Sequence, residues 1–552
     1  MHYVLCTLHY ELLKIFSYLC NISFNLFNQQ LNHMKKSLLM GCMAMLAGVA
    51  FGQTEPLELE HMYARKVSPN GTFMVSAAGD VDVFNLENGE HFNYPGVYIG
   101  NGNSVSNDGF TVGNGAGDVA MVMRDGVAFT PETLAHFWFC DINAVTPDGS
   151  RLIGIANNDR PGIIWRAFYC DIDEDGKIGM PHYLPMPDRD FFGFVPQYSN
   201  GVWISDDGHT IAGLIVDNRG WVSYPILFRE NEQGEWSYVL PTADLFNPNG
   251  YELPENPFDS EPKFPEFTDY MDEDSRAIYE EEYDNWIMGM GPYPDPFAFM
   301  TTEQEKNYWE AYNAYEQWFE EADEKVEEYM AVYRKIAATT PSFQMNEYTI
   351  NPAGTVAAYV GGAENDDVQR QDIWCFDITD FDNVTYNKID ISRKGIFPTQ
   401  LLSDGTIIGN VPGGGEGYVK LPNSDVFMDL YEYMGATNPS YADWLNTNSP
   451  YGSGMVSFSD DLTVIAGGVN YYNLSAELQA KLDETNGFYY SYVFMDAKTF
   501  AGVEENLVDV DNGVYRVFNL QGVNVMTTEN KDDLNNLAKG LYIINGKKTV
   551  IR

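Results

Sequence analysis

Asp171-Ile172-Asp173-Glu174-Asp175-Gly176 is the stretch where residue type and spacing come nearest to chemistry. Carboxylates at the first, third and fifth positions, with glycine at the sixth, form the first half of a calcium-binding loop. Oxygen ligands on alternate residues converge on a hard cation while glycine makes the sharp turn. The pattern then departs: its twelfth position is His182 rather than a bidentate glutamate, and no helical pattern flanks it. Asp171, Asp173 and Asp175 would hold Ca2+ in a partial site. The competing reading is an acidic hairpin tip between two strands. No other cofactor is indicated.

Other chemistry is sought with less return. After residue 52 the histidines are His61, His91, His136, His182 and His209, none paired with another ligand at metal spacing. There is no G-x-S-x-G nucleophile elbow. Gly413-Gly414-Gly415-Glu416-Gly417 lacks the Lys-Ser/Thr ending of a phosphate loop. Six cysteines are present, three of them in the first 52 residues, and none has C-x-x-C spacing. Cys140–Cys170 is the natural disulfide, with buried free thiols as the alternative. The 80 acids against 32 Lys and Arg give a net charge of −48. Such a surface excludes nucleic acid and disfavours anionic lipid headgroups, since phosphate contacts need clustered cations. A glycosidase pair could be drawn from those acids, but spacing selects none.

The elements that would position any site are repeated. Val67-Ser68-Pro69-Asn70-Gly71, Val105-Ser106-Asn107-Asp108-Gly109, Val145-Thr146-Pro147-Asp148-Gly149, Ile204-Ser205-Asp206-Asp207-Gly208 and Ile350-Asn351-Pro352-Ala353-Gly354 share one phrase. Leu402-Ser403-Asp404-Gly405 is one residue shorter, and Phe458-Ser459-Asp460-Asp461-Leu462 has Leu where glycine is expected. Ser and Asp side chains bond nearby backbone and glycine takes positive φ, so each phrase is a turn. Three or four β-rich residues follow, then often a glycine where another backbone approaches. A third strand follows at 119–123, 162–165, 224–228, 372–376 and 490–494. Units of three or four antiparallel strands, spaced about 40–60 residues apart, are the signature of a β-propeller. The fold expected is mainly β: a propeller of about seven blades, with six or eight blades or a pair of β-sandwiches as alternatives. The phrase resembles the loose repeats of WD-like and other bacterial propellers over roughly 57–500, which is specific for architecture and not for function.

The blades are interrupted. Residues 53–238 carry the first part and 342–500 the second. Between them 239–341 is a Pro-rich acidic connector followed by two helical patterns, 274–288 and 302–338, expected to form an inserted helical hairpin. Thr302-Glu303-Gln304-Glu305 reads as a capping box. Tyr308, Tyr312, Tyr315, Phe319, Ala322, Val326, Tyr329, Tyr333 and Ile336 recur at steps of four and three and share one face. Unbroken, this helix is about 54 Å long.

Both ends carry addresses. Within 1–52, Met34-Lys35-Lys36, the apolar run 37–49 and Ala50-Phe51-Gly52 form a signal peptide cleaved before Gln53, with Met34 as the natural start. The mature chain has no apolar run long enough to span a membrane as a helix. Residues 501–552 read as a small β-sandwich. The Val514-Tyr515-Arg516-Val517-Phe518-Asn519-Leu520-Gln521-Gly522, Lys539-Gly540-Leu541-Tyr542-Ile543-Ile544 and Gly546-Lys547-Lys548-Thr549-Val550-Ile551-Arg552 segments closely resemble the C-terminal sorting domain of type IX secretion cargo from Bacteroidetes. That resemblance implies export by the secretion machinery and an extracellular or outer-membrane surface location.

The expected function is therefore a secreted, non-catalytic propeller that binds an extracellular protein or glycan. The alternatives are a propeller hydrolase acting on polysaccharide and an adhesive surface component. The central mouth of the ring decides between the first two. Clustered Trp or Tyr there means glycan or peptide recognition, whereas two acids about 5–10 Å apart means hydrolysis.

Overall fold

In the computed structural model, the described residues are 55–495, except 138, 158–164, 197, 218–221, 288–290, 363, 366–367, 370, 392–394, 412–414, 423 and 425, together with four C-terminal strands. The expected signal peptide and its expected cleavage point lie outside the described residues.

The repeat builds four-stranded antiparallel sheets. Seven of them follow one another from Leu57 to Phe494, here sheets I to VII. Their first strands are Ala64–Val67, Val97–Ile99, Phe139–Val145, Tyr198–Ile204, Ser342–Ile350, Phe397–Leu401 and Met455–Phe458. Sheet VII completes itself differently. Its fourth strand is Leu57–Glu60, from the other end of the chain, which pairs antiparallel with Tyr489–Phe494.

Packing follows chain order and closes. Alternate residues on each strand are apolar on both faces, so each sheet has two faces to bury. Val75, Val81, Val97 and Met123 join I to II, and Val112, Val122, Ile142 and Phe168 join II to III. Ile153 and Ala167 meet Ile211 and Ile226 between III and IV, and Leu214 and Leu227 meet Tyr348 and Tyr359 between IV and V. Val360 and Ile373 meet Ile407 and Tyr418 between V and VI, and Ile408 and Val419 meet Ile465 and Tyr492 between VI and VII. Finally Ala64, Val67 and Met74 pack against Val464, Ala466 and Val493, joining VII back to I. The architecture is mainly β and propeller-like.

The phrase does what its residue types require. The Ser205 hydroxyl donates to the Asp207 carboxylate at 2.5 Å, which also accepts the His209 amide at 3.0 Å. The same pair recurs at Thr146–Asp148 (2.7 Å) and Ser459–Asp461 (2.8 Å). Gly208 has φ +75°. In the seventh copy Leu462 occupies the left-handed place at φ 66°. That conformation costs about 1–2 kcal/mol for a residue with a Cβ, and burial of the leucine between sheets VI and VII offsets it.

The insertion differs from its expected form. Helix α1 spans Glu273–Ile287 and helix α2 spans Thr302–Ala337. The cap of α2 is Thr301 with Gln304, one residue earlier than the expected box. The two helices are not each other's main partner. The first half of α2 packs on the short turns Pro257–Ser260 and Phe267–Tyr270, with Phe267 stacked 4.7 Å from Tyr308. Its second half docks Tyr329, Tyr333 and Ile336 beside Phe192 and Phe194 of the connection between sheets III and IV and beside Tyr224 of sheet IV. Between these two seats the stripe is freer, and Phe319 is 48% exposed. Helix α1 instead meets the chain that follows it, through Tyr279–Phe299 and Trp286–Tyr293.

The third strand of sheet III is Arg166–Asp171; the expected strand at 162–165 lies, but for Trp165, outside the described residues. Cys140 and Cys170 are buried free thiols. They lie on the first and third strands of one sheet, opposite Ala156 and Leu152 respectively. A strand between them exceeds the reach of a disulfide, and burial pushes the Cys170 thiol up to about 12. In the C-terminal segment the described strands Tyr515–Phe518, Asn524–Thr528, Gly540–Ile544 and Lys547–Ile551 form one antiparallel sheet, and the rest of the expected sandwich lies outside the described residues. No helix among the described residues is long and apolar enough to cross a membrane.

Candidate functional site

The site begins with an irregularity. The first strand of several sheets carries one extra residue: pairing slips between Ala64 and Lys66, Ile142 and Ala144, Gly201 and Trp203, and Pro398 and Gln400. A bulge kinks its strand and re-aims the neighbouring side chains. It also explains the glycine that ends the phrase. Gly154 and Gly213 stand opposite the bulge, where a Cβ would lie 2.1 Å from the carbonyl oxygens of Asp141 and Asn200.

The kinked strands surround a cavity of about 350 Å³. Six of the seven sheets line it: Arg65 and Lys66 from sheet I, the segment 99–101 after the first strand of II, Trp203 from IV, Tyr348 from V, 397–400 from VI and 455–457 from VII. Tyr63, Trp203, Tyr348 and Phe397 supply aromatic wall, and among the described residues the lining holds no Asp, Glu, His or Cys. Tyr348 is fixed from behind. Its hydroxyl donates to Asn200 at 2.6 Å, and its ring stacks 4.7 Å from Tyr359.

Lys66 dominates the electrostatics. Its Nζ donates to the Asn101 carbonyl at 3.2 Å and lies 4.7 Å from the centre of the Trp203 ring. Removal from bulk water, reinforced by neighbouring Arg65, pushes its ammonium down to about 7. The Arg65 guanidinium stands 5.7 Å from the centre of the Tyr63 ring. Neither cation has a carboxylate within ion-pair distance among the described residues. The amides beside them are already used. Gln400 bonds both the amide (2.8 Å) and the carbonyl (2.9 Å) of Phe458, and Asn410 accepts the Val456 amide at 2.9 Å.

Just beyond this level the turns of neighbouring sheets touch. The Asn107 amide donates to the Pro147 carbonyl (2.7 Å), Asp206 to Pro352 (2.8 Å) and Asp460 to Pro69 (2.9 Å). The second position of the phrase therefore forms the inter-sheet contact, while the third position makes the turn. Asp460 is raised to about 7, first by burial and then by the charges of Asp206 and Asp461. Asp206 is raised by burial and by Asp207 and Asp148.

The acidic loop at 171–176 lies elsewhere, on the third strand of sheet III. Asp171 is paired with Arg151 at 2.7 Å. Asp173 accepts the amides of Asp175 (3.1 Å) and Lys177 (2.8 Å) within the turn. Asp175 is exposed. The hairpin-tip reading accounts for the first two carboxylates, and among the described residues no three His, Cys, Asp or Glu are grouped to hold a metal ion. Arg151 also bonds Glu230 (2.6 Å) and the Gly208 carbonyl (3.0 Å), and His209 joins Glu230 at 2.8 Å. This network ties sheet III to sheet IV.

Arg65 and Lys66 were not distinguished by reading along the chain. Aligning the copies finds them, because the residues two and three before the phrase's Ser, Thr or Asn are uncharged in every copy but the first.

No protein-family model matches the sequence, and no curated protein matches it. Among solved structures, the chain is similar to virginiamycin B lyase from Staphylococcus aureus, at 10% identity and TM-score 0.33, over 80% of this chain and 99% of that one. It is similar to a streptogramin B lyase at 9% identity and TM-score 0.31, over 81% and 100%. A prolyl endopeptidase gives 10% identity and TM-score 0.35, over 77% of this chain and half of that one. Likeness this loose leaves the site to be read from its own residues.

Proposed function

We propose that this protein is a secreted or surface-attached, non-catalytic binding protein, a seven-bladed β-propeller that takes a glycan unit into its central cavity. The observation that carries this reading is the lining: aromatic walls, two cations and, among the described residues, no carboxylate, drawn from six of the seven sheets. The volume of about 350 Å³ lies at the small end of ligand sites, suited to one end of a glycan rather than to a folded surface. Export by the type IX route, directed by the C-terminal segment, belongs to the same proposal. The test is a glycan array probed with the mature chain and with Trp203→Ala. Retained glycans that are lost in the variant, with no product released, support it. Binding untouched by Trp203→Ala places recognition elsewhere and refutes it.

A hydrolytic reading has one specific observation in its favour, Asp460, a carboxyl raised to about 7 by burial and by the charges of Asp206 and Asp461, as a general acid needs. Release of reducing ends that disappears in Asp460→Asn would establish it over the binding reading.

A further inference from the structure

We infer that the ligand group held in the central cavity carries a carboxylate, as an acidic sugar does, and that Arg65 and Lys66 recognise it. The inference rests on the cavity being the binding site. Its first support is a missing counter-charge. The chain carries −48, and Arg124, Arg151, Arg189, Lys263 and Lys481 all hold carboxylates. Inside the cavity two adjacent cations, Arg65 and Lys66, face a wall on which no carboxylate stands among the described residues. A charge kept from bulk water without a partner is costly, and a bound anion removes that cost.

The second support is the fate of the polar neighbours. Gln400 and Asn410 are spent on the backbone of Phe458 and Val456, so the strongest polar capacity left in the cavity is cationic. The planar fork of arginine matches a carboxylate with two parallel hydrogen bonds, and lysine adds a point charge. The aromatic walls suit the apolar face of a sugar ring. The titratable or charged side chains lining the cavity with Lys66 are Arg65, Tyr63 and Tyr348, none of them an acid that could replace the ligand. Because Lys66 sits near 7 when unliganded, pairing with an anion makes it take up a proton at pH 8.

Titration calorimetry of the mature chain with digalacturonic acid and with its methyl ester, at pH 8 in two buffers of different ionisation heat, tests this. The acid is expected to bind about 10–100-fold more tightly than the ester, with uptake of close to one proton that the ester does not cause. Lys66→Met and Arg65→Gln should each remove most of that preference, the acid losing far more affinity than the ester. The proton measurement uses the unaltered protein, so it stands even if a variant fails to fold. Equal binding of acid and ester, both lost in Trp203→Ala, overturns the carboxylate assignment and leaves the cavity as the site. Tighter binding of inorganic phosphate than of the acid also overturns it. No binding of acidic or neutral sugar overturns both readings.

Discussion

Replacing Lys66, a half-buried lysine whose bond to Asn101 is exposed, by methionine should make the protein more stable. The native ammonium sits at about 7 instead of 10.5. At about 1.4 kcal/mol per pH unit, that gap sets a ceiling of ~5 kcal/mol on what the charge costs the fold. The Nζ still faces cavity water, the Asn101 carbonyl and the Trp203 ring, so ~1–3 kcal/mol is the expected gain. Methionine keeps the aliphatic stem and sets a thioether against the indole. The sign follows from proton binding. Between about 7 and 10.5 the unfolded chain binds the proton that the folded chain has lost, so wild-type stability rises with pH there. The advantage of the variant is therefore largest below pH 7 and gone by about pH 10.5. Urea unfolding at pH 6.5, 8.5 and 10, without ligand, measures it. A variant less stable than wild type at pH 6.5, or a gain identical at all three pH values, would refute the account of Lys66 as a partly desolvated cation without a carboxylate partner.

Three other outcomes follow from the geometry. Gly213→Ala drives a Cβ to 2.1 Å from the Asn200 carbonyl and should cost 3 kcal/mol or more, on the order of other forced backbone shifts. Gly208→Ala meets nothing closer than 3.4 Å and should cost only the ~1–2 kcal/mol of its positive φ; similar thermal midpoints for the two would be wrong for the bulge model. Glu230 is 8% exposed between Arg151 and His209; although burial opposes it, its bonds to these partners hold its carboxyl below the usual range. Its stabilising effect should be present above the ordinary glutamate value and lost as pH falls through the depressed one. Arg151→Ala should cost ~2–4 kcal/mol at pH 7 and erase that acid dependence in a pH–stability profile. Deleting 55–60 removes the fourth strand of sheet VII with the Lys481–Glu60 pair at 2.8 Å, and should expose Tyr490 and Tyr492 to limited proteolysis; an unchanged digestion pattern would contradict the closure described.

Much of the frame was legible because the turn chemistry is local. Ser205, Asp207 and Gly208 specify one another within four residues, and so do their counterparts. The long helix was legible to within a residue of both its ends, since Thr301 and Pro341 bracket a regular stripe. What escaped depends on distant residues. The bulges at Arg65 and Thr399 break the two-residue period by one position and leave no periodic trace. The final glycine of the phrase hinted at them, but only the partner strand reveals which carbonyl presses on it. Arg65 and Lys66 read as ordinary strand residues until the ring brings six sheets around them. The partner of α2 was also misjudged. Its stripe says that something covers it, not that the cover is short turns and the connection between sheets III and IV. The turn acids divide in a way spacing cannot show: Asp207 serves its own turn, whereas Asp206 and Asp460 interact across the ring.

The way sheet VII is completed also sets a schedule. Glu58 bonds Tyr490 across 432 positions of sequence, so the first strand waits for nearly the whole ring before it has a partner. Closing so long a loop is slow relative to forming any one hairpin. Single sheets can form as they emerge, yet the ring gains its last hydrophobic seam, between Val464, Val493 and Met74, only at the end. Until then both edges of the unfinished stack stay open.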